Sequence, residues 1–221
     1  MTIPSDLDLV NCAAAIYHTG GMAWDYLDTG QDDEVYWALK RLNGADVIVF
    51  RGSITAHDWY EDFQAAPITT RIGTVHQGFF AGIEKMWHEL KPMLSGAPVA
   101  VTGHSLGAAR ADMLCGFMVE DWQPPARRAV FGEPRPGYQD FCSSVGRISG
   151  ASYCNTDARG HDMVTDWPMR LPHLFDFARP SPLVDVTASP SWVQRVDGIF
   201  CYHHIELYQA AVAAHLKGTA T

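Results

Sequence analysis

The chain has 221 residues, 47% of them hydrophobic and 19% charged, which suits one domain with a full core. Its net charge of −9 argues against a nucleic-acid partner, which demands a basic surface, and disfavours adsorption to anionic lipid. No apolar run reaches the length of a membrane span, so no transmembrane segment is expected. The start, Met1-Thr2-Ile3-Pro4-Ser5-Asp6, lacks the basic opening and apolar run of a signal peptide, and the expected compartment is therefore the cytoplasm. Cys12, Cys115, Cys142, Cys154 and Cys201 are scattered, odd in number and form no C-x-x-C, so no disulfide framework is expected.

In chain order, Ser5 can cap a helix with Asp8 at its third position, and Leu7, Val10, Ala14 and Tyr17 follow at helical spacing. Residues 35–39 and 47–50 read as strands joined by a turn at Asn43-Gly44. The second strand runs into Arg51-Gly52-Ser53, and residues 54–75 read as irregular. Phe80, Ile83, Trp87, Leu90 and Leu94 mark an amphipathic helix that Pro92 should end or kink. A strand at 99–102 leads to a helix from Ala108 onward. Residues 129–131 and 153–155 are further strands, residues 179–200 read as a proline-rich loop, and Ile205, Tyr208, Val212 and Leu216 give a closing helix. Strands alternating with helices predict an α/β fold, with a mainly parallel central sheet covered by helices on both faces. Residues 1–221 are expected to form a single domain of this kind.

Between the strand at 99 and the following helix lies Gly103-His104-Ser105-Leu106-Gly107, a G-x-S-x-G pattern. Such a stretch predicts a sharp, strained turn with Ser105 at its tip, and glycines where Cβ atoms would collide across the bend. The helix start behind Ser105 would turn free N–H groups toward a developing anion, making the Leu106 N–H a candidate oxyanion donor. A serine hydroxyl is a weak nucleophile near neutral pH and needs a base, and the base needs an orienting acid. On an α/β-hydrolase the order along the chain is Ser, acid, His. His203 and His204, at the start of the last helix, are the positional candidates for the base, and Asp157, Asp162 and Asp166 for the acid.

Seven stretches then agree, in order, from about residue 47 to residue 208. They are Val49-Phe50-Arg51-Gly52-Ser53, Asp58-Trp59-Tyr60-Glu61-Asp62-Phe63, Val75-His76-Gln77-Gly78-Phe79, the elbow itself, Phe131-Gly132-Glu133-Pro134-Arg135-Pro136-Gly137, Asp162-Met163-Val164-Thr165-Asp166-Trp167-Pro168 and His203-His204-Ile205-Glu206-Leu207-Tyr208. Together they resemble the class 3 lipase family, the fungal and plant triacylglycerol-lipase-like branch of the α/β-hydrolases. The resemblance implies a serine carboxylester hydrolase, lipase or esterase, working through an acyl-enzyme, with Ser105, Asp162 and His203 as its triad. It adds Ser53 to Leu106 as the oxyanion hole. The alternatives are hydrolysis of another acyl compound (a feruloyl-type ester, a thioester or a phospholipid) and a non-catalytic interaction protein on the same fold. The chain departs from the family pattern at Thr165, where the family has proline, and at Tyr202, where many members have aspartate. Only 22 residues, 54–75, separate Ser53 from His76, so a full lid is expected to be reduced or absent.

Trp59, Tyr60, Phe63, Trp192, Ile199 and Phe200 are candidates for lining an acyl pocket. Arg51, His76 and His104 read as structural. His161, Asp162, His203 and His204 form a metal set only on paper, since their spacing matches no metal motif. No metal and no cofactor are expected, and the partner is a small-molecule or lipid ester. The negative charge points to a soluble, short-chain or neutral one.

Overall fold

The computed structural model describes residues 2–18, 20–30, 35–53, 66–170 and 175–219. Ten strands are described: β1 (Tyr26–Asp28), β2 (Trp37–Leu42), β3 (Ala45–Phe50), β4 (Pro67–Thr70), β5 (Gly73–His76), β6 (Val99–His104), β7 (Arg127–Phe131), β8 (Gly150–Asp157), β9 (Gly160–His161) and β10 (Leu183–Val186). The central sheet has the order β1-β2-β3-β6-β7-β8-β10, with β9 folded back on β8. From β3 to β10 every pairing is parallel, while β1 and β2 add an antiparallel edge. The hairpin between β2 and β3 turns on Asn43-Gly44, whose φ angles of 54° and 81° are the positive pair that a twisted two-residue hairpin requires.

Six helices are described: α1 (Asp6–Ala15), α2 (Gln77–Phe80), α3 (Ile83–Leu90), α4 (Leu106–Glu120), α5 (Gln139–Val145) and α6 (Ile205–Gly218). The central strands are apolar on both sides because both sides are covered. Ile48, Phe50, Val101 and Val130 share a buried cluster with residues of α2, α3, α4 and α5. Val47, Val49, Ala100, Ala129 and Phe131, one position along each strand, share the opposite cluster with α1 and α6. Ser5 caps α1 as expected, exchanging hydrogen bonds with Asp8 in a capping box.

The helix behind the elbow, α4, is buried along most of its length, including Asp112. Asp112 pairs with Arg128 of β7, and Arg128 Nη2 lies 2.9 Å from Glu133 Oε2. Ser152 of β8 donates its hydroxyl to the same Glu133 oxygen at 2.5 Å. One guanidinium thus serves two carboxylates in the interior, and burial pushes the Asp112 carboxyl well above the usual carboxylate range. The cluster ties α4 to β7 and β8.

Three expectations are corrected. The stretch read as irregular contains the β4–β5 hairpin, whose short, threonine-rich strands carry no apolar alternation. The proline-rich loop contains β10 and a 3-10 turn, Gln194–Phe200. The single helix read over 80–94 is divided at Gly82, which has a φ of 77°, and Pro92 falls in a 3-10 turn after α3. Among the described residues no helix is long and apolar enough to cross a membrane. Ile48 is fully buried in the middle of the sheet, so Ile48→Ala should lower the unfolding free energy by about 2–5 kcal/mol, read as a lower urea midpoint at unchanged slope.

Candidate active site

Ser105 has φ 61° and ψ −131°, a conformation that side-chain-bearing residues rarely adopt. Both ends of the bend are anchored. The Ser105 N–H donates to the Phe131 carbonyl at 3.0 Å, and its carbonyl accepts from the Ala108 N–H at 2.9 Å. The flanking glycines serve close backbone packing. A Cβ on Gly103 would lie 2.2 Å from the Gly107 oxygen, and one on Gly107 would lie 2.4 Å from the Phe50 oxygen. The end of β3 is equally close, since a Cβ on Gly52 would lie 2.9 Å from Ser105 Cβ. The strand end carrying Ser53 is thereby held against the elbow. Leu106 is the first residue of α4, so its N–H is one of those with no intrahelical acceptor.

Asp162 is fully buried at the start of the 3-10 turn Met163–Asp166. Its Oδ1 accepts from the Val164 N–H at 2.9 Å. Its Oδ2 accepts from His203 Nδ1 at 2.6 Å and from the Tyr208 hydroxyl at 2.5 Å. Burial pushes this carboxyl up, but the His203 charge and the hydrogen bonds from His203 and Tyr208 outweigh it and hold the group below the usual carboxylate range. In a neutral His203 ring with Nδ1 donating to Asp162, the lone pair falls to Nε2, which is buried without a hydrogen-bond partner among the described residues. Gly132, at φ 57°, makes room for the pair: a Cβ there would lie 2.7 Å from Asp162 Oδ2 and 2.8 Å from His203 Nδ1.

Position along the chain left two bases and three acids open, and hydrogen bonding separates them. His204 Nε2 meets Asp197 at 2.7 Å, away from Asp162. Asp157 accepts from the Tyr202 hydroxyl at 2.6 Å, and Asp166 meets Arg135 at 3.0 Å and His161 at 2.8 Å. Among the described residues, Asp162 is the candidate acid that touches a candidate base. The four residues of the paper metal set are thus divided between separate pairings. The two departures from the family pattern have local partners. Thr165 donates its hydroxyl to the Asp162 carbonyl at 2.7 Å, and the Tyr202 carbonyl accepts from Asn155 Nδ2 at 3.2 Å.

Trp59, Tyr60 and Phe63 lie outside the described residues. Trp192 is 81% exposed, on a ridge with exposed Val193, Val196 and Ile199. Trp192 and Ile199 thus lie in a surface segment around the 3-10 turn Gln194–Phe200 and not in the packed core of the described residues. Phe200 is half-buried at the end of that turn, and its carbonyl accepts from the His203 N–H at 2.8 Å. Arg51 lies over the Tyr36 ring, 3.5 Å from its centroid, and buried His76 stacks on Phe79 at 4.1 Å. Sequence reasoning gave no site role to Tyr208, Asn155 or Tyr17, all of which hydrogen-bond to this constellation. The signal was there only for Tyr208, as a tyrosine one turn into the helix that follows the histidine pair.

Residues 47–171 match the family model described as Lipase (class 3). A secreted mono- and diacylglycerol lipase 1 of Fusarium solani is 32% identical over 157 residues, 66% of this chain and 45% of that protein. A secreted mono- and diacylglycerol lipase A of Penicillium camembertii is 29% identical over 140 residues, 58% of this chain and 45% of that protein. The chain therefore spans about half the length of the curated relatives it matches. Among solved structures, the N225Q mutant of MDLA from Penicillium cyclopium matches with a TM-score of 0.66 at 21% identity, over 84% of this chain and 80% of that one. The Rhizomucor miehei triacylglyceride lipase matches with a TM-score of 0.64 at 20% identity, over 83% and 80%. The fold is that of these lipases, the α/β-hydrolase fold. The cytoplasmic expectation is corrected by the same comparison: the curated relatives this chain matches are named as secreted lipases. The match to the family model over 125 of 221 residues (47 to 171 inclusive) makes the chain a member of the class 3 lipase family.

Proposed function

We propose that this chain is a serine carboxylester hydrolase of lipase type, acting on neutral acylglycerol-like esters, with Ser105, His203 and Asp162 as its triad. The observation that carries the reading is the buried Asp162 carboxylate holding His203 by Nδ1, with the His203 ring 4.5 Å from that of His104, the residue before the strained Ser105. The names of the curated relatives, mono- and diacylglycerol lipases, support the substrate class. An uncharged headgroup also suits a chain of net charge −9. Residues 1–221 would act as one hydrolase domain, with no cofactor.

In this reading His203 Nε2 takes the proton of Ser105 Oγ as that oxygen attacks the ester carbonyl. Asp162 holds the tautomer and stabilises the imidazolium that forms. The tetrahedral oxyanion is met by the N–H groups of Ser53 and Leu106, with the Ser53 hydroxyl as a further donor. His203 returns the proton to the leaving alcohol, and the acyl group stays on Ser105. Water, deprotonated by the same imidazole, releases the acid and restores the serine.

Three outcomes are expected. The wild type should hydrolyse a p-nitrophenyl ester and form one adduct with a serine-directed phosphonate, mapped to Ser105 by mass, while Ser105→Ala should do neither. A well-folded wild type without turnover or adduct would refute the reading. Gly132→Ala should separate His203 from Asp162 and lower kcat on the order of a hundredfold, with thermal unfolding and turnover measured on the same preparation. Native Asp162 titrates below its unfolded value of about 4. Its charged form therefore contributes stability above that pH, and the contribution is lost as pH falls through the native value. The stability of the wild type relative to Asp162→Asn should accordingly decline as pH drops below about 4, followed by urea midpoints. A gap that widens on acidification would contradict the ionised, hydrogen-bonded carboxylate.

A further inference from the structure

The mechanism above leaves two polar side chains beside the site without a task. Tyr17 follows α1, and its hydroxyl reaches under the elbow. It lies 3.0 Å from His104 Nδ1 and accepts the Gly52 N–H at 3.0 Å. His104, at the end of β6, is buried, and its Nε2 lies 2.7 Å from the His203 carbonyl oxygen. The His104 and His203 rings face each other with centroids 4.5 Å apart.

The Tyr17 hydroxyl has two acceptors in reach, His104 Nδ1 at 3.0 Å and the His104 carbonyl at 3.5 Å, and with a neutral His104 ring the shorter contact takes its proton. A carbonyl oxygen only accepts, so His104 Nε2 must carry hydrogen and donate to His203. The Gly52 amide only donates, so the Tyr17 oxygen accepts there. The single Tyr17 hydroxyl proton is then free for His104 Nδ1, which in a neutral ring is the nitrogen with the lone pair. Burial agrees, holding the His104 imidazole well below its ordinary pKa and hence uncharged. A charged His104 would place a second cation against His203 at the moment His203 becomes an imidazolium.

We propose that Tyr17 and His104 are positioning residues, a hydrogen-bonded chain from the Gly52 amide through Tyr17 and neutral His104 to the His203 backbone. It registers the strand end that carries Ser53, the elbow and the base against one another. The contact with Gly52 is tight: a Cβ there would fall 2.4 Å from the Tyr17 hydroxyl and 2.6 Å from the His104 carbonyl oxygen. Removing one link leaves a buried donor or acceptor unpaired and loosens the separation between base and oxyanion donors. The inference rests on the triad reading above, because it assigns Tyr17 and His104 a place in that triad's geometry.

The test compares wild type, Tyr17→Phe, His104→Leu and His104→Gln on a p-nitrophenyl ester, with rates expressed per site titrated by the serine-directed phosphonate. Tyr17→Phe deletes one oxygen, and so keeps the test valid if a His104 variant fails to fold. Tyr17→Phe and His104→Leu should lower kcat on the order of tenfold to a hundredfold with KM little changed. His104→Gln keeps an amide donor for the His203 carbonyl and should recover most of the loss seen with leucine. Wild-type kcat per titrated site in both Tyr17→Phe and His104→Leu would overturn the proposal, as would a loss confined to KM or a glutamine variant no better than leucine. A wild type that neither turns over nor labels would remove the triad reading first, and this inference with it.

Discussion

An ionised carboxylate taken out of water needs hydrogen-bond donors to replace its hydration, and Asp162 draws them from three parts of the chain. Val164 supplies an amide from the next turn, His203 a ring N–H from the loop before α6, and Tyr208 a hydroxyl from α6 itself. Asn155 extends the same pull. Its amide nitrogen bonds the Ala188 and Tyr202 carbonyls, its side-chain oxygen takes the Ala188 N–H, and its backbone carbonyl accepts from Asp162. The last third of the chain is in this way gathered over the carboxyl end of β8. His203, the proposed base, is presented where it is because a buried charge has to be satisfied there.

The elbow imposes the complementary constraint, one of backbone proximity. β6, α4 and the end of β3 approach so closely that Gly103, Gly107 and Gly52 have no room for side chains. Behind them the Arg128 cluster fastens α4 to β7 and β8 with charge-assisted hydrogen bonds. A strained serine persists only where its surroundings over-determine it, and here both its N–H and its carbonyl are committed to neighbouring backbone.

The strongly patterned parts of this arrangement were legible from sequence: the elbow, the β2–β3 hairpin with its Asn43-Gly44 turn, the capping box of α1, and α6. Short and polar elements were not. The strands at 67–70 and 73–76 hold little but threonine on their outer faces, and β10 is a four-residue edge strand flanked by proline and serine. The acid of the site was legible only in part. Asp157, Asp162 and Asp166 lie within ten residues of one another, and position cannot rank them. Hydrogen-bond direction can, and that depends on where β9 turns the chain back. Tyr17 was missed for a different reason. Its helical spacing with Val10 and Ala14 reads as one more core contact, and nothing local reports that its hydroxyl ends beneath an elbow 87 positions away. The exposure of Trp192 and Ile199 was not legible either, because apolar residues in a proline-rich segment look alike whether they pack inward or face solvent.

The pairing of α1 with α6 bears on the order in which the site can form. Tyr17 reaches the elbow from just beyond α1, and Tyr208 reaches Asp162 from α6. The two helices lie on the same face of the sheet, sharing a buried cluster and linked by Gln209 and Asn11. Contacts of such long sequence separation close late, since loop entropy must be overcome before they yield anything. A nascent chain that has made β6, the elbow, α4 and β7 already has both backbone anchors of Ser105. It lacks the His203 and Tyr208 donors to Asp162 until α6 docks beside α1, so the elbow is built well before the proposed base can reach it.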